Sequence, residues 1–409
     1  MIDINQALIA AGTTYKKELL AMVVAALNEM FPYVSIQTGV QGKIVGGNLT
    51  TDAQLRPYRT EKGASDNTKI EPFEWETFLG DVVKEFDPNA ILGTLYTEPT
   101  AKKPTEREIA KRVALEIAKK VGEAIYDAIF IAKRNANGET TMDLFNGYVT
   151  IIVSQITAQT PKVSVALKNF IDDSATVVSA DNVGDVLKKY WRGLNKLLKK
   201  QKVFFYIPQT ILEMYEDWFQ VEYGHAPWNT GFEQKTLVGT KGKCELVPFD
   251  NMEGQPYIFI SVKENVKLGV DQMSDMENVK IRECDNPKLV QFFMMAYFGV
   301  GYETFDPRYF KAFKVCLDPI DDFANSAKAA TTATFTWTAA EDATSLKIQI
   351  SSDNGVTWAD ATHTAIAVDA TTKQITALVA ETTYKVRLVV VDGLNNGYSN
   401  VVTVTTPAA

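Results

Sequence analysis

Between Ile36 and Glu74 the chain carries Gly39, Gly42, Gly46, Gly47 and Gly63 among Gln, Thr, Asn and Asp residues, with few large side chains to bury. A stretch of this length and polarity cannot enclose a core of its own, and loops beyond about 15 residues are uncommon inside compact domains. The segment is therefore expected to be an extended loop carried by a larger body. Its scattered apolar residues, Ile44, Leu49, Leu55, Tyr58, Ile70, Phe73 and Trp75, then need cover from a neighbouring surface. The glycines do not make a phosphate loop, because the GK[ST] ending and the strand-before, helix-after context are both missing. The sequon Asn48-Leu49-Thr50 is attributed to chance, since no secretion signal accompanies it.

The body begins with an apolar pattern over Gln6 to Met30, broken at Gly12 and closed by Pro32, which reads as one or two helices. From Pro104 to Arg134, Ile109, Val113, Ile117, Val121, Ile125 and Ile129 recur every four residues, the spacing of one helix face. Thr105 and Glu108 have capping-box spacing, Glu108 with Arg112 and Glu116 with Lys120 are favourable i,i+4 pairs, and Asn137-Gly138 offers a stop. At about 1.5 Å per residue the helix would run roughly 45 Å, a spine longer than a small domain requires. Beyond it the pattern predicts strands over Tyr148–Ile156, Val203–Ile207, Tyr257–Val262 and Tyr309–Leu317, and helices over Val183–Lys200 and Pro208–Tyr223. No βαβ alternation runs through them, so the class is α+β.

After Phe323 the composition changes: the last 86 residues hold 17 threonines and 17 alanines. Period-two segments, Ala333–Trp337, Leu346–Ser351, Lys373–Leu378, Tyr384–Val391 and Val401–Thr405, are separated by Asp353-Asn354-Gly355, Asp392-Gly393 and Asn395-Asn396-Gly397. This predicts a separate β-sandwich joined through a linker at Ala324–Ala330. Within it, Ser351-Ser352-Asp353-Asn354-Gly355-Val356-Thr357-Trp358 resembles the Asp-box of sialidases. One copy in a region too short for a propeller is expected to be a structural hairpin.

Two histidines in 409 residues weigh against hydrolytic, metal-dependent or acid/base enzymes, which lean on that side chain. His225, in Glu222-Tyr223-Gly224-His225-Ala226-Pro227-Trp228, and His363 have no partner at metal or triad spacing, and Asp172-Asp173 and Asp321-Asp322 are merely sequence neighbours. No catalytic, cofactor-binding or metal-binding residue is assigned, and no cofactor is expected. Cys244, Cys284 and Cys316 are odd in number and widely spaced, which points to a reducing compartment. The net charge of −8 argues against coating nucleic acid, with 37 basic against 43 acidic residues before position 324 and 5 against 7 after it. Lys188, Lys189, Arg192, Lys196, Lys199, Lys200 and Lys202 form a basic helix with Tyr190 and Trp191. It reads as a solvated face over Leu187, Leu194, Leu197 and Leu198, with contact to nucleic-acid phosphates or an acidic neighbour as the other option. The apolar runs Leu19–Leu27 and Phe292–Val300 are too short to span a bilayer, so a soluble protein is expected.

Two families resemble parts of this chain. Trp337, Leu378 six positions before Tyr384, the run Tyr384–Val391, Gly397-Tyr398-Ser399 and Thr405-Thr406-Pro407 resemble a fibronectin type III or related immunoglobulin-like domain over about residues 325–409. The resemblance implies a tryptophan filling the core and a corner in which the tyrosine hydroxyl ties down the chain. The order of the larger parts resembles the HK97-type major capsid protein of tailed bacteriophages: an N-terminal arm at 1–35, an extended loop at 36–75, and an α+β axial and peripheral core at 76–323 with a spine helix at 104–134. Phe305–Val315 resembles that family's closing strand, and the sandwich follows at 324–409.

This second resemblance implies a non-enzymatic structural protein that assembles with itself into hexamers and pentamers of an icosahedral shell in the host cytoplasm. It implies a sandwich on the virion's outer surface, non-specific contact with packaged double-stranded DNA, no membrane, and portal, auxiliary capsid and separate scaffolding proteins as partners. Some members cross-link this loop through a lysine and an asparagine. Lys43, Lys62 and Lys69 lie there, but no motif marks a partner and the activity is not carried over. A carbohydrate-active or adhesive protein with an accessory sandwich, and a phage tail or baseplate subunit, stay open as alternatives.

Overall fold

The computed structural model describes residues 26–50, 69–86, 106–224, 235–270, 279–283, 290–317, 319–340, 343–391 and 395–408. In chain order the elements begin with β1 (Ser35–Thr38), β2 (Lys43–Thr50), β3 (Lys69–Glu76), β4 (Phe78–Phe86), and helices α1 (Glu106–Ile131) and α2 (Tyr148–Thr157). Next come β5 (Phe170–Val177), α3 (Val183–Arg192), β6 (Val203–Pro208), α4 (Gln209–Tyr223), β7 (Cys244–Phe249) and β8 (Tyr257–Ser261). They are followed by β9 (Val266–Val270), β10 (Val279–Glu283), β11 (Val290–Tyr302) and β12 (Phe310–Cys316). The last strands are β13 (Ala324–Lys328), β14 (Ala333–Thr336), β15 (Ser345–Ser351), β16 (Ala359–Asp360), β17 (Thr372–Ile375), β18 (Thr383–Val391), β19 (Gly397–Tyr398) and β20 (Val402–Thr405). The class is α+β, with many strands and few helices. Most of residues 1–35, where an arm is expected, residues 51–68 of the expected loop, His225 and Cys284 lie outside the described residues.

The chain divides into two compact units, residues 1–160 with 262–309 and residues 161–261 with 310–409. In the first, β11 is the organising strand. It pairs antiparallel with β4 over Val290–Phe298 and with β10 and then β9 along its length, and β1 adds parallel to β9. The expected spine is present as α1, shorter than 104–134 among the described residues because it stops at Ile131. The Asn137-Gly138 pair does not stop it; the chain has already turned back, with Lys133 N–H donating to Met142 O and Asn135 N–H to Asp143 O. Ala128, Ile129 and Phe130 are fully buried at its C-terminal end.

Tyr148–Ile156, read as a strand, is helix α2. Its β-branched run suggested a strand, but Tyr148, Val149 and Ile152 are the buried positions, a helical spacing, and tertiary packing overrides weak propensity. The Tyr148 hydroxyl donates to Lys267 O at 2.9 Å and its ring packs on Phe130 and Tyr302, tying α2 to α1 and the sheet.

The second unit holds a sheet in the order β5-β12-β8-β6-β7 and, after it, two sheets facing each other: β13-β14-β17 and β16-β15-β18-β19, with β20 also on β18. Every residue of β6 is buried, as expected of a strand covered on both faces. The basic stretch is not one helix: α3 ends at Arg192 and Gly193, and Leu198–Lys200 is a separate short turn. Ala324–Ala330 is not a linker either, since Ala324–Lys328 pairs with β14; its small side chains hid the strand in the composition. Phe335, Trp337, Ile348, Ile375, Leu388 and Val404 fill the space between the two facing sheets. The Tyr384 hydroxyl accepts the Val379 N–H at 3.1 Å, as the corner expectation requires.

Candidate functional site

The glycine-rich segment is a two-stranded ribbon, not a structureless loop. β2 and β3 pair antiparallel from Lys43 opposite Glu76 to Thr50 opposite Lys69, and among the described residues they pair with no other strand. An isolated ribbon is marginal in water, so its root must be held by something else. Thr77 closes that root: its N–H donates to Gly42 O, its hydroxyl lies 3.1 Å from Val40 O, and it accepts the Gly42 N–H at 3.0 Å.

Two large residues then anchor β3 in the first unit's core. Phe73 is 7% exposed and meets Phe305 edge-on at 4.8 Å, and Trp75 is 4% exposed. The expectation that both need cover from a neighbouring surface is thereby corrected; the chain buries them itself.

Trp75 fits because the strands beneath it lack side chains. A Cβ on Gly269 would lie 2.6 Å from the Trp75 ring and one on Gly301 2.5 Å from the Trp75 Cβ, while one on Gly299 would lie 2.4 Å from Glu76 O. Gly269 and Gly299 are cross-strand partners on β9 and β11, so the three glycines form one notch in the sheet. Next to this root Val45 keeps 62% of its surface, and Lys43 pairs with Glu74. The Lys43 ammonium is held above its ordinary range by the hydrogen bond it donates to Glu74. Lys62 and the side chain of Lys69 lie outside the described residues.

Beside the root, α1, β4 and β11 border an open groove of about 1270 Å³. The apolar stripe of α1 enters it unevenly. Ile129 and Ile125 are buried, while Val121, Ile117 and Val113 are only half covered and line the groove opposite Leu79 and Val83 of β4. Leu79 is 50% exposed, so among the described residues this unit has an open apolar face next to the root of the ribbon.

The residues singled out for chemistry are spent on structure. His363 Nδ1 lies 2.8 Å from Thr364 O, with Nε2 facing the Ile348 N–H. Cys244 and Cys316 are buried, and burial pushes the Cys244 thiol up to about 12. In the Asp-box segment, Ser351 donates to Asp353 at 2.7 Å, Gly355 N–H to Ser351 at 2.8 Å, and Thr357 N–H to Asp353 at 2.9 Å, a closed hairpin turn between β15 and β16.

On α3, Lys189 pairs with Asp173 at 2.7 Å and Lys188 lies over the Trp218 ring at 4.2 Å. Burial raises the Asp173 carboxyl, but bonds from Lys189, Thr176 and Tyr190 outweigh it and hold the group below its ordinary range. Leu187, Leu194 and Leu198 are buried, whereas Leu197, expected to pack inward, is 47% exposed. The buried Lys311 was not noticed in the sequence. It donates to Gly193 O at 2.8 Å, and Lys199 donates to Arg192 O at 2.6 Å, both at the negative end of α3. Among the described residues no cluster of three or more His, Cys, Asp or Glu could hold a metal, and no helix is long and apolar enough to cross a membrane.

No protein-family model matches the chain, and no curated protein matches it. Several solved structures share its outline. A chain of the Cyanophage A-1(L) capsid asymmetric unit is 11% identical with a TM-score of 0.47, covering 72% of this chain and 92% of that one. The capsid of a native GTA particle is 11% identical with a TM-score of 0.46, over 70% and 89%. A satellite phage P4 procapsid that includes the size-determination protein is 11% identical with a TM-score of 0.43, over 73% and 98%. All three lie below a TM-score of 0.5 and establish neither fold nor function for this chain.

Proposed function

We propose that this chain is the subunit of a closed protein shell, a major capsid protein of the HK97 type. One observation carries the reading: among the described residues a single compact unit presents a ribbon that joins no larger sheet and an open apolar groove with half-exposed walls. Groups left open in this way are matched when the ribbon of one subunit lies on the next. Such head-to-tail contacts close into rings when the rotation between copies allows it. In this reading the arm (1–35) and the loop (36–75) reach neighbours, the body (76–323) forms the shell as hexamers and pentamers, and packaged double-stranded DNA is touched without sequence preference. Portal, scaffolding and auxiliary proteins are its expected partners.

Residues 324–409 are read as an immunoglobulin-like, fibronectin type III sandwich on the outer surface. Support comes from the three-strand and five-strand sheets, Trp337 between them, and the Tyr384 corner. The test replaces residues 47–72 with Asn-Gly, a two-residue hairpin turn that keeps Phe73 and Trp75 in place. The shortened chain is expected to stay folded and lose assembly. Particles unchanged by the replacement would refute the role given to the ribbon.

A further inference from the structure

We propose that the outer face of the sheet β16-β15-β18-β19 binds the carboxylate groups of an acidic polysaccharide, with Arg387 as the anchor. The site is complete within one chain and does not rest on the assembly reading. Gln349 stands opposite both Asp360 and Arg387 in the ladder, and Tyr398 lies one pair further along, opposite Val389. These positions share the solvent face of the sheet, because Val386, Leu388 and Val390 point inward. The Arg387 guanidinium is held between two aromatic rings, 4.1 Å from the Trp358 centroid and 3.8 Å from the Tyr398 centroid. Gln349 Oε1 accepts from Nε at 3.1 Å and from Nη2 at 2.8 Å.

This fixes the plane of the fork, and among the described residues its Nη1 hydrogens have no protein acceptor. Among the described residues no carboxylate pairs with Arg387, although the chain has 50 acidic side chains. Lys385 extends the positive face beside it. Lys347 lies 3.7 Å from Asp360, whose other oxygen is engaged by Gln349.

An oriented, unpaired guanidinium matches a planar carboxylate through two parallel hydrogen bonds. The rings select the rest of the ligand. Trp358 and Tyr398 are half exposed on a flat sheet, which suits the apolar face of a sugar ring, whereas an acidic peptide would engage the cations alone.

Biolayer interferometry with the full-length protein on immobilised polygalacturonate, dextran and poly-L-glutamate tests this. Binding to polygalacturonate is expected, falling as salt rises, with none to dextran and weaker binding to poly-L-glutamate. Arg387→Met should weaken it about tenfold or more, Arg387→Lys should weaken it several-fold by losing the fork, and Lys328→Ala, on the other sheet, should leave it unchanged. Near-UV circular dichroism checks the fold, and Arg387→Lys, which keeps the charge, carries the test if the Met variant misfolds. Absence of binding to polygalacturonate, equal binding to poly-L-glutamate, or full binding by Arg387→Lys would overturn the proposal.

Discussion

Trp75 depends on what is missing beneath it. A methyl group on Gly301 would press on the Trp75 Cβ at 2.5 Å, so β3 would have to lift or β11 to bend. Gly301→Ala is therefore expected to destabilise the first unit by about 1–3 kcal/mol, the usual cost of overpacking, visible as a lower urea midpoint. An unchanged midpoint would show that the notch is loose.

Asp353 works in the opposite chemical register. The Thr357 hydroxyl and N–H, with the Ser351 hydroxyl, hold its carboxyl well below the ordinary carboxylate range. Because the folded value is the lower one, the stability it lends is present above the unfolded value of about 3.9 and is lost as pH falls through the folded value. Melting of the wild-type sandwich should be flat between about pH 5 and 7 and fall more steeply below about pH 4 than that of Asp353→Asn. Parallel profiles for the two proteins would contradict this.

At the scale of elements, the sandwich is clasped to the sheet that precedes it in the second unit. Asn396 Nδ2 donates to Val315 O at 3.1 Å, and Gly397, at φ +133°, packs where a Cβ would lie 2.6 Å from Cys316 Sγ and 2.9 Å from Ser174 O. Asn400 receives the Phe323 N–H and donates to Phe323 O. The two parts should therefore melt in one transition, and Asn396→Ala should lower it by about 1–3 kcal/mol because a buried carbonyl loses its donor. A separate sandwich transition, untouched by the substitution, would show that the clasp carries no load.

The elements whose signals are local were readable in the chain: the four-residue stripe of α1, the alternation of β15 and β18, and the Leu378–Tyr384 corner. Those that depend on distant partners were not. The glycine notch is spread over β9 and β11, where Gly299 reads as part of the apolar run Phe292–Val300 and Gly301 follows it, and only the arrival of Trp75 gives them meaning. β1 finds its parallel partner, β9, far along the chain, and α2 is helical because its buried positions face α1 and β11, against its β-branched composition.

At the scale of the whole molecule, the half-covered stripe of α1 and the solitary ribbon are surfaces left open among the described residues. A protein that worked alone would be expected to cover them, since exposed apolar patches of this kind invite association. The proposed shell role asks for no catalytic histidine, and the net negative charge of residues 1–323 and of 324–409 confines any DNA contact it implies to local surfaces. Electron microscopy of purified full-length protein, paired with sedimentation velocity across a concentration series, measures this most directly. The account predicts closed particles built from rings of five and six subunits. A monomer that stays monomeric at high concentration, with an ordered ribbon folded onto its own surface, would contradict it.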